Sequence, residues 1–273
     1  MSKQNVGTNT NRPRPVFIDE DQVKQLLDWD EARLALEQAF VSVSNQAREP
    51  SARSTEHPVS SQPARTFVQA EGGVLLCMPG FVGHHQLTSD SPERGSTLAC
   101  KLITSFRNNA SVGLPSINGE VFVFNSTTGK LEAIVEANYL TGVRTATASL
   151  VATDHLYLRP TATLRNAAPI KLGIVAVGAG EYHHAELAQD IYDSCRVYID
   201  HWEGARKELA TLRSNVVGEV GEIILGDAGK LLPAKPGGIT VFQSLGMATE
   251  DATVGRLVYE RFAQAQQRYT MEK

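Results

Sequence analysis

Arg144 and Thr145 are the pair of residues whose types and position point most directly to chemistry. They follow a segment, 121–136, whose composition predicts two strands joined by a turn, and they fall in the first turn of a helix predicted over 141–158. The first turn of a helix has unpaired backbone N–H groups and the positive end of the helix dipole. An arginine fork and a hydroxyl placed there would suit a carboxylate or a phosphate. The alternative is an ordinary surface arginine on a packed helix.

Lys101 is the second residue of interest, because it lies inside an otherwise apolar segment, 98–106, that is predicted to be a strand. A lysine in apolar surroundings loses proton affinity and can exchange a proton near neutral pH. The alternative is a strand residue whose amine extends into water. Its neighbour Cys100 is interpreted as a buried structural thiol rather than a nucleophile with a lowered pKa.

The histidine pairs 84–85 and 183–184 lack the spacing of metal ligands, so no metal site is predicted.

The composition excludes several function classes. The chain has 273 residues, enough for one large core or two moderate ones, and its net charge of −4 gives no electrostatic reason to expect a nucleic acid or membrane partner. No apolar run reaches the roughly 18 residues of a membrane span, and the N-terminus has no apolar signal core. The three cysteines form no CxxC motif, which favours free thiols and a cytoplasmic location.

The elements that must position these residues begin after a polar lead, 1–15, that is expected to be disordered. Asp19, with Gln22, is predicted to cap a short helix, and Asp30 to cap the next one. Apolar residues recur at helical spacing along this second helix, namely Ala32, Leu36, Ala39, Phe40 and Val43. Strands are predicted over 66–70, 73–78 and 98–106, with a polar loop over 83–96.

The second half of the chain is predicted to be α/β. After a linker, 160–169, a buried-type strand over 172–177 ends in Gly178, Ala179 and Gly180. Further strands are predicted over 196–199 and 240–242, and helices over 203–212 and 217–225. Thr249 is predicted to cap the final helix, with Glu250 and Asp251 in its first turn.

Several motifs in this order resemble the ornithine cyclodeaminase/mu-crystallin family. They cover most of residues 17–262: PART at 63–66, MP at 78–79, ACKL at 99–102, GLPS at 113–116, NSTTGKLEAIVEA at 125–137, TGVRTATAS at 141–149, VGAG at 177–180 with AELAQDI at 185–191, and TVFQSLGMATED at 240–251. No single motif is decisive, whereas the ordered set is specific.

The resemblance implies an α/β fold of two domains. An α+β substrate and dimerisation domain would comprise 16–140 and 240–273, and a shortened Rossmann-like dinucleotide-binding domain 141–239. It also implies that the protein is an NAD(P)H-dependent oxidoreductase that reduces a cyclic or linear imine of an amino or keto acid, and that it forms a homodimer.

By the same resemblance, Arg65, Lys101 and Arg144 bind the substrate carboxylate, and Lys101 is the catalytic proton donor. Thr145, Gly178 and Gly180 are assigned to the cofactor.

The sequence departs from the family pattern at three points. Only about 80 residues separate Pro160 from Thr240, where a complete dinucleotide fold needs roughly six strands at about 25–30 residues per βα unit. The segment around Gly178 is therefore either the cofactor loop or a later strand and loop near the substrate. Leu76 and Gly180 stand where cyclodeaminases carry acidic residues.

These departures favour a ketimine reductase over an ornithine cyclodeaminase. They also leave open a non-catalytic member that binds a small carboxylate or a partner.

Overall fold

The computed structural model describes residues 14–48, 59–159, 172–177, 186–211, 213–226 and 238–271. Two β-sheets organise these residues. The first has seven strands and is mainly antiparallel, and the second has four parallel strands. The α/β class expected from the sequence is thus present, with the parallel sheet in the second half of the chain.

The first sheet is built from β1 (Val16–Ile18), β2 (Ser60–Ser61), β3 (Thr66–Ala70), β4 (Gly73–Gln86), β5 (Arg94–Ser105), β6 (Ile117–Asn125) and β7 (Leu131–Glu136). Its order is β1-β7-β6-β5-β4-β2, and β3 also pairs with β4. A 3₁₀ helix, Arg107–Val112, connects β5 to β6. Because β4 and β5 are long and paired throughout, they place Met78 directly opposite Lys101.

Four helices cover this sheet: α1 (Glu20–Leu26), α2 (Trp29–Arg48), α3 (Asn138–Thr153) and α7 (Ala248–Met271). The predicted capping box of Asp19 and Gln22 is confirmed, and the predicted stripe on α2 is buried. The apolar side of α7 packs into the same core, with Val254, Leu257 and Val258 buried.

The second sheet contains β8 (Leu172–Ala176), β9 (Arg196–Ile199), β10 (Val216–Glu219) and β11 (Ile239–Gln243), in the order β10-β9-β11-β8. Short helices α4 (Gln189–Ser194), α5 (Trp202–Glu208) and α6 (Val220–Ile224) accompany these strands. All strand pairs are parallel, so the carboxyl ends of β9 and β11 meet at one edge. In open α/β sheets this edge is where ligands bind.

The predicted start of the helix that carries Arg144 is wrong. The structure begins α3 at Asn138, which places Arg144 and Thr145 in the second turn. The backbone N–H of Asn138 donates to Glu136 Oε1 at 3.0 Å, so the helix starts directly after β7. Arg144 is therefore not at an exposed helix N-terminus. A π-helical turn, Asp154–Leu158, then continues the helix to its predicted end.

Both ends of the polar segment 83–96 are strand, in β4 up to Gln86 and in β5 from Arg94, and the predicted loop is confined to residues 87–93. A bulge between Val82 and His85 shifts the register, and pairing resumes with His85 opposite Gly95. His85 is buried and lies 2.9 Å from Thr97 Oγ1, while Gln38 accepts the backbone N–H of Gln86. Burial lowers the pKa of His85 to about 4. Tertiary partners thus stabilise a strand that the local composition argues against.

Three further predictions of local structure are wrong. Asp28, not Asp30, accepts the N–H groups at the start of α2. Residues 216–219 form a strand, and its last residue, Glu219, forms a capping box with Glu222 at the start of α6. Thr249 lies inside α7, and its hydroxyl donates to Gln62 Oε1 instead of capping the helix.

Candidate active site

A cavity of about 270 Å³ lies where the carboxyl edge of the parallel sheet meets the first sheet. The turn after β9 and helix α5 form one wall, through His201, Gly204 and Glu208. The segment before β3 forms another with Arg65, and Gly246 and Ala248 close the cavity at the start of α7. The cavity therefore draws on both sheets.

Arg65 is the predicted substrate-binding residue that borders this cavity directly. Its Nη2 donates to the carbonyl oxygens of Leu245 and Gly246, the latter at 3.3 Å, and lies 3.1 Å from Glu208 Oε1. These contacts all use Nη2, whereas a guanidinium has five N–H donors. Arg65 is thus positioned by the protein while donors remain for a carboxylate.

Asp200 fixes the turn that Arg65 contacts. It is fully buried at the end of β9, and its Oδ2 accepts the backbone N–H groups of Leu245 and Gly246 at 2.7 and 2.6 Å. Gly246 has φ +77°, a left-handed conformation, and a Cβ there would lie 3.2 Å from Arg144 Nη1. A side chain at this position would be strained and would crowd Arg144.

Lys101 and Arg144 form a buried ionic cluster with the first turn of α7. Lys101 Nζ lies 2.8 Å from Asp251, and both side chains are almost fully buried. Arg144 Nη1 lies 2.9 Å from Glu250 Oε2, and its Nε lies 3.1 Å from Asp251 Oδ1. The three predicted cations, Arg65 included, therefore converge on the segment 245–251, although Lys101 and Arg144 do not line the cavity itself.

Burial sets the ionisation of this region. It lowers the pKa of Lys101 to about 8, with Arg144 adding to the effect and Asp251 opposing it. Burial also raises the pKa of Glu250 to about 7 against the effect of Arg144, and that of Glu208 to about 7 against the effect of Arg65. Three groups in and behind the cavity wall can therefore change protonation near neutral pH.

The family model for the ornithine cyclodeaminase/mu-crystallin family matches residues 16–167 and 169–266. The chain belongs to this family. Its curated relatives include the ketimine reductase mu-crystallin of Macropus fuliginosus, 27% identical over 73% of this chain and 59% of the relative. Delta(1)-pyrroline-2-carboxylate reductase 2 of Burkholderia ambifaria is 28% identical over 50% of this chain and 38% of that protein. The chain thus spans less than two thirds of the length of these relatives.

Solved structures share the fold. An archaeal alanine dehydrogenase dimer with bound NAD superimposes with a TM-score of 0.73 at 19% identity, over 92% of this chain and 97% of that chain. Delta(1)-pyrroline-2-carboxylate reductase of Thermococcus litoralis, in complex with NADH and L-proline, gives 0.67 at 19% identity, over 92% and 98%. The predicted α/β fold class and the resemblance to the family are confirmed.

One of the positions at which the sequence departs from the cyclodeaminase pattern lies on the apolar side of the cavity. Leu76, which stands where cyclodeaminases carry an acid, lines the cavity beside Phe67 and Met78. This wall therefore presents hydrocarbon where the cyclodeaminase pattern has a carboxylate. Gly180, the other departure, lies outside the described residues, as does Gly178.

The predicted cofactor residue Thr145 is half-buried on α3, next to Arg144. Two of the three described helix starts beside the parallel sheet, those of α5 and α6, are capped by the chain's own side chains, whereas α4 has no side-chain cap. His201 Nδ1 accepts the N–H of Gly204 at 2.7 Å, Glu219 accepts that of Trp202, and Glu219 with Glu222 caps α6. The assignment of Thr145 to the cofactor stays a prediction, since Thr145 lies in the second turn of α3, and the other predicted cofactor contacts, Gly178 and Gly180, lie outside the described residues.

Cys77 and Cys100 are free thiols whose sulfur atoms lie 3.5 Å apart on neighbouring strands. Burial and Cys77 raise the pKa of Cys100 to about 11. A nucleophile with a lowered pKa, which the neighbouring Lys101 suggested as the weaker alternative, is therefore wrong for Cys100.

Three potential metal-ligand residues, Glu37, Asp154 and His155, lie together in the described part of the chain. Arg33 Nη1 lies 2.7 Å from Glu37, and Arg159 Nη2 lies 2.7 Å from Asp154. Both carboxylates are thus paired with arginines, which compete with any cation for them.

The described helices include none long and apolar enough to cross a membrane.

Sequence reasoning did not single out Glu208, Asp200, Glu250 or Asp251 as parts of the site. Glu250 and Asp251 were explained as acids in the first turn of a helix, which is a sufficient local reason for them. Asp200 did carry a signal, since an acid directly after a buried strand lies at the ligand-binding edge of a parallel sheet. Glu208 carried none, because it lies in a polar helical segment.

Proposed function

We propose that this protein is an NAD(P)-dependent oxidoreductase that reduces a cyclic or linear imine of an amino or keto acid. The observation that carries the proposal is the convergence of Arg65, Lys101 and Arg144 on the segment 245–251 beside a cavity. The reductases among the relatives support the reaction type.

Arg65 would anchor the substrate carboxylate with the donors that its own contacts leave unused. Arginine binds carboxylates bidentately, and this side chain is 24% exposed, enough to meet a ligand in the cavity. The apolar wall of Phe67, Leu76 and Met78 would cover the hydrocarbon part of the substrate and exclude water. The cavity volume of about 270 Å³ suits a small acid of this kind.

Lys101 would hold the proton needed for imine reduction, and its pKa of about 8 suits transfer near neutral pH. Because Lys101 is buried against Asp251 behind the cavity wall, the transfer would require its amine to move into the cavity. Arg144 would contribute positive charge behind the turn at Gly246, completing the carboxylate-binding set. Thr145, with Gly178 and Gly180, would hold NAD(P)H, which supplies the hydride when bound.

Binding of the carboxylate is tested by calorimetric titration with L-proline, the stable product that reduction of the cyclic imine pyrroline-2-carboxylate would give. Wild type is expected to bind, and Arg65→Gln to bind at least about tenfold more weakly, since a charge-assisted contact is lost. Arg213→Gln is the matched control, because Arg213 is exposed and pairs with Asp193 away from the cavity. Equal affinity of Arg65→Gln and wild type would refute the assignment of Arg65.

A second function, binding of a small carboxylate without hydride transfer, is favoured by one observation. The starts of α5 and α6 beside the parallel sheet are already capped by side chains of the chain itself, and two of these residues, Glu219 and Glu222, are acidic. Titration with NADH and NADPH separates the two functions. Saturable binding of either nucleotide supports the reductase, and absence of binding supports the second function.

An ornithine cyclodeaminase is the less favoured alternative, because Leu76 lines the cavity in place of an acid. Ornithine-dependent release of ammonia would establish it.

A homodimer is part of the proposal. Every residue of β3 is exposed, including Phe67 and Val68, whose side chains point to opposite faces of the strand. A second copy packed on the face of β3 that carries Val68 would bury this side chain and leave Phe67 on the cavity side.

A further inference from the structure

We propose that Glu208 recognises the nitrogen of the substrate, so that Arg65 and Glu208 together select amino and imino acids over simple carboxylic acids. The inference rests on the proposed function, because it assumes that Arg65 receives the substrate carboxylate.

The geometry divides the two oxygens of Glu208 between different tasks. Oε1 of Glu208 lies 3.1 Å from Arg65 Nη2, and this ion pair holds the Glu208 carboxylate in place. Oε2 is buried and has no hydrogen-bond partner among the residues that the structure describes. A buried carboxylate oxygen without a donor is costly, and a donor brought by a ligand would remove that cost.

The position of Glu208 matches the chemistry of an amino acid. Arg65 and Glu208 both line the cavity and contact each other, so a cation and an anion lie side by side in its wall. The carboxylate and nitrogen of an α-amino or α-imino acid are likewise separated by a single carbon. A ligand of this kind can therefore place its carboxylate on Arg65. Its N–H reaches Oε2 when the Glu208 carboxylate rotates to turn this buried oxygen toward the cavity.

Glu208 also has the charges around it that this role requires. Arg65 from the segment before β3 and Lys207 on the same helix favour the carboxylate, whereas burial and Asp200 at the end of β9 favour the protonated acid. His201, at the start of α5, also lines the cavity. The resulting pKa of about 7 lets Glu208 bind a cationic nitrogen above pH 7. Below that pH Glu208 is protonated and loses the charge that attracts a cationic nitrogen, while Lys101 remains the residue that holds the proton for imine reduction.

The test compares two ligands of similar size and shape by calorimetry at pH 8: L-proline, which has the nitrogen, and cyclopentanecarboxylate, which has a methylene in its place. Wild type is expected to prefer L-proline by about tenfold or more, the value of one charge-assisted hydrogen bond. Glu208→Gln is expected to lose most of this preference while still binding cyclopentanecarboxylate. As pH falls from 8 to 6, the preference of wild type should decrease and that of Glu208→Gln should stay constant.

Glu20→Gln is the matched control, because Glu20 is an exposed glutamate that pairs with Lys24 on α1 and does not line the cavity. It should keep the preference of wild type. Circular dichroism and thermal unfolding of Glu208→Gln establish that the variant is folded. If wild type binds both ligands equally, or Glu208→Gln keeps the full preference, the inference is wrong while the carboxylate site stands. If wild type binds neither ligand, the carboxylate site and the inference fall together.

Discussion

Replacing Lys101 with methionine should destabilise the protein strongly, because it removes one partner of a buried ion pair. Lys101 Nζ lies 2.8 Å from Asp251, and the two side chains are 2% and 1% exposed. Loss of one partner from such a pair costs about 3–5 kcal/mol. Arg144 Nε remains 3.1 Å from Asp251 Oδ1, so the lower end, about 3 kcal/mol, is expected. At about 2–4 °C per kcal/mol for a chain of this size, the melting temperature should fall by about 6–12 °C.

Urea unfolding of Lys101→Met, Asp251→Leu and the double variant measures this coupling. The double variant should be more stable than the sum of the single effects predicts, by about 2 kcal/mol, because no unpaired charge is left buried. Lys24→Met is the control, since Lys24 is an exposed lysine paired with Glu20, and its unfolding should match wild type. Additive single effects, or a melting temperature of Lys101→Met within 2 °C of wild type, would refute the buried pair.

Four further predictions address the site and the assembly. Gly246→Ala should cost about 1–2 kcal/mol in urea unfolding and weaken L-proline binding, because φ is +77° and the new Cβ would crowd Arg144. The unfolding free energy of wild type minus that of Glu208→Gln should decrease as pH rises from about 4.5 to 7, because the native Glu208 carboxyl keeps a proton that the unfolded one releases. A difference that stays constant over this range would contradict the raised pKa of Glu208. Alkylation of Cys100, followed by mass spectrometry, should still accelerate above pH 9, whereas a plateau there would indicate an ordinary thiol. Val68→Glu should convert a dimer to a monomer in light scattering, and an unchanged mass would remove β3 from the interface.

The elements with strong periodicity could be predicted from the sequence. The stripe on α2 and the strands β7 and β9 were identified because local composition and burial favour the same structure, and β3, whose residues are all exposed, was identified from its composition alone. The segment 83–96 was not, because polar residues there gain their partners from α2 and β5, far away in the sequence.

The site was predictable only in part, for a similar reason. Arg65, Lys101 and Arg144 stood out because each cation lies in a motif of the family. Glu208 and Glu250 did not, because an acid in a short helix or at a helix start is locally unremarkable and acquires its partner only through packing. The start of α3 was misplaced because Glu136, assigned to a strand, provides the acceptor that begins the helix.

Reduction of an imine with NAD(P)H is measured by the absorbance of the nucleotide at pH 7 with pyrroline-2-carboxylate as substrate. We expect oxidation of NADH or NADPH that depends on the imine and is strongly reduced in Arg65→Gln but not in Arg213→Gln. No oxidation with either nucleotide, across a panel of cyclic imines, linear imines and keto acids, would contradict the proposed function.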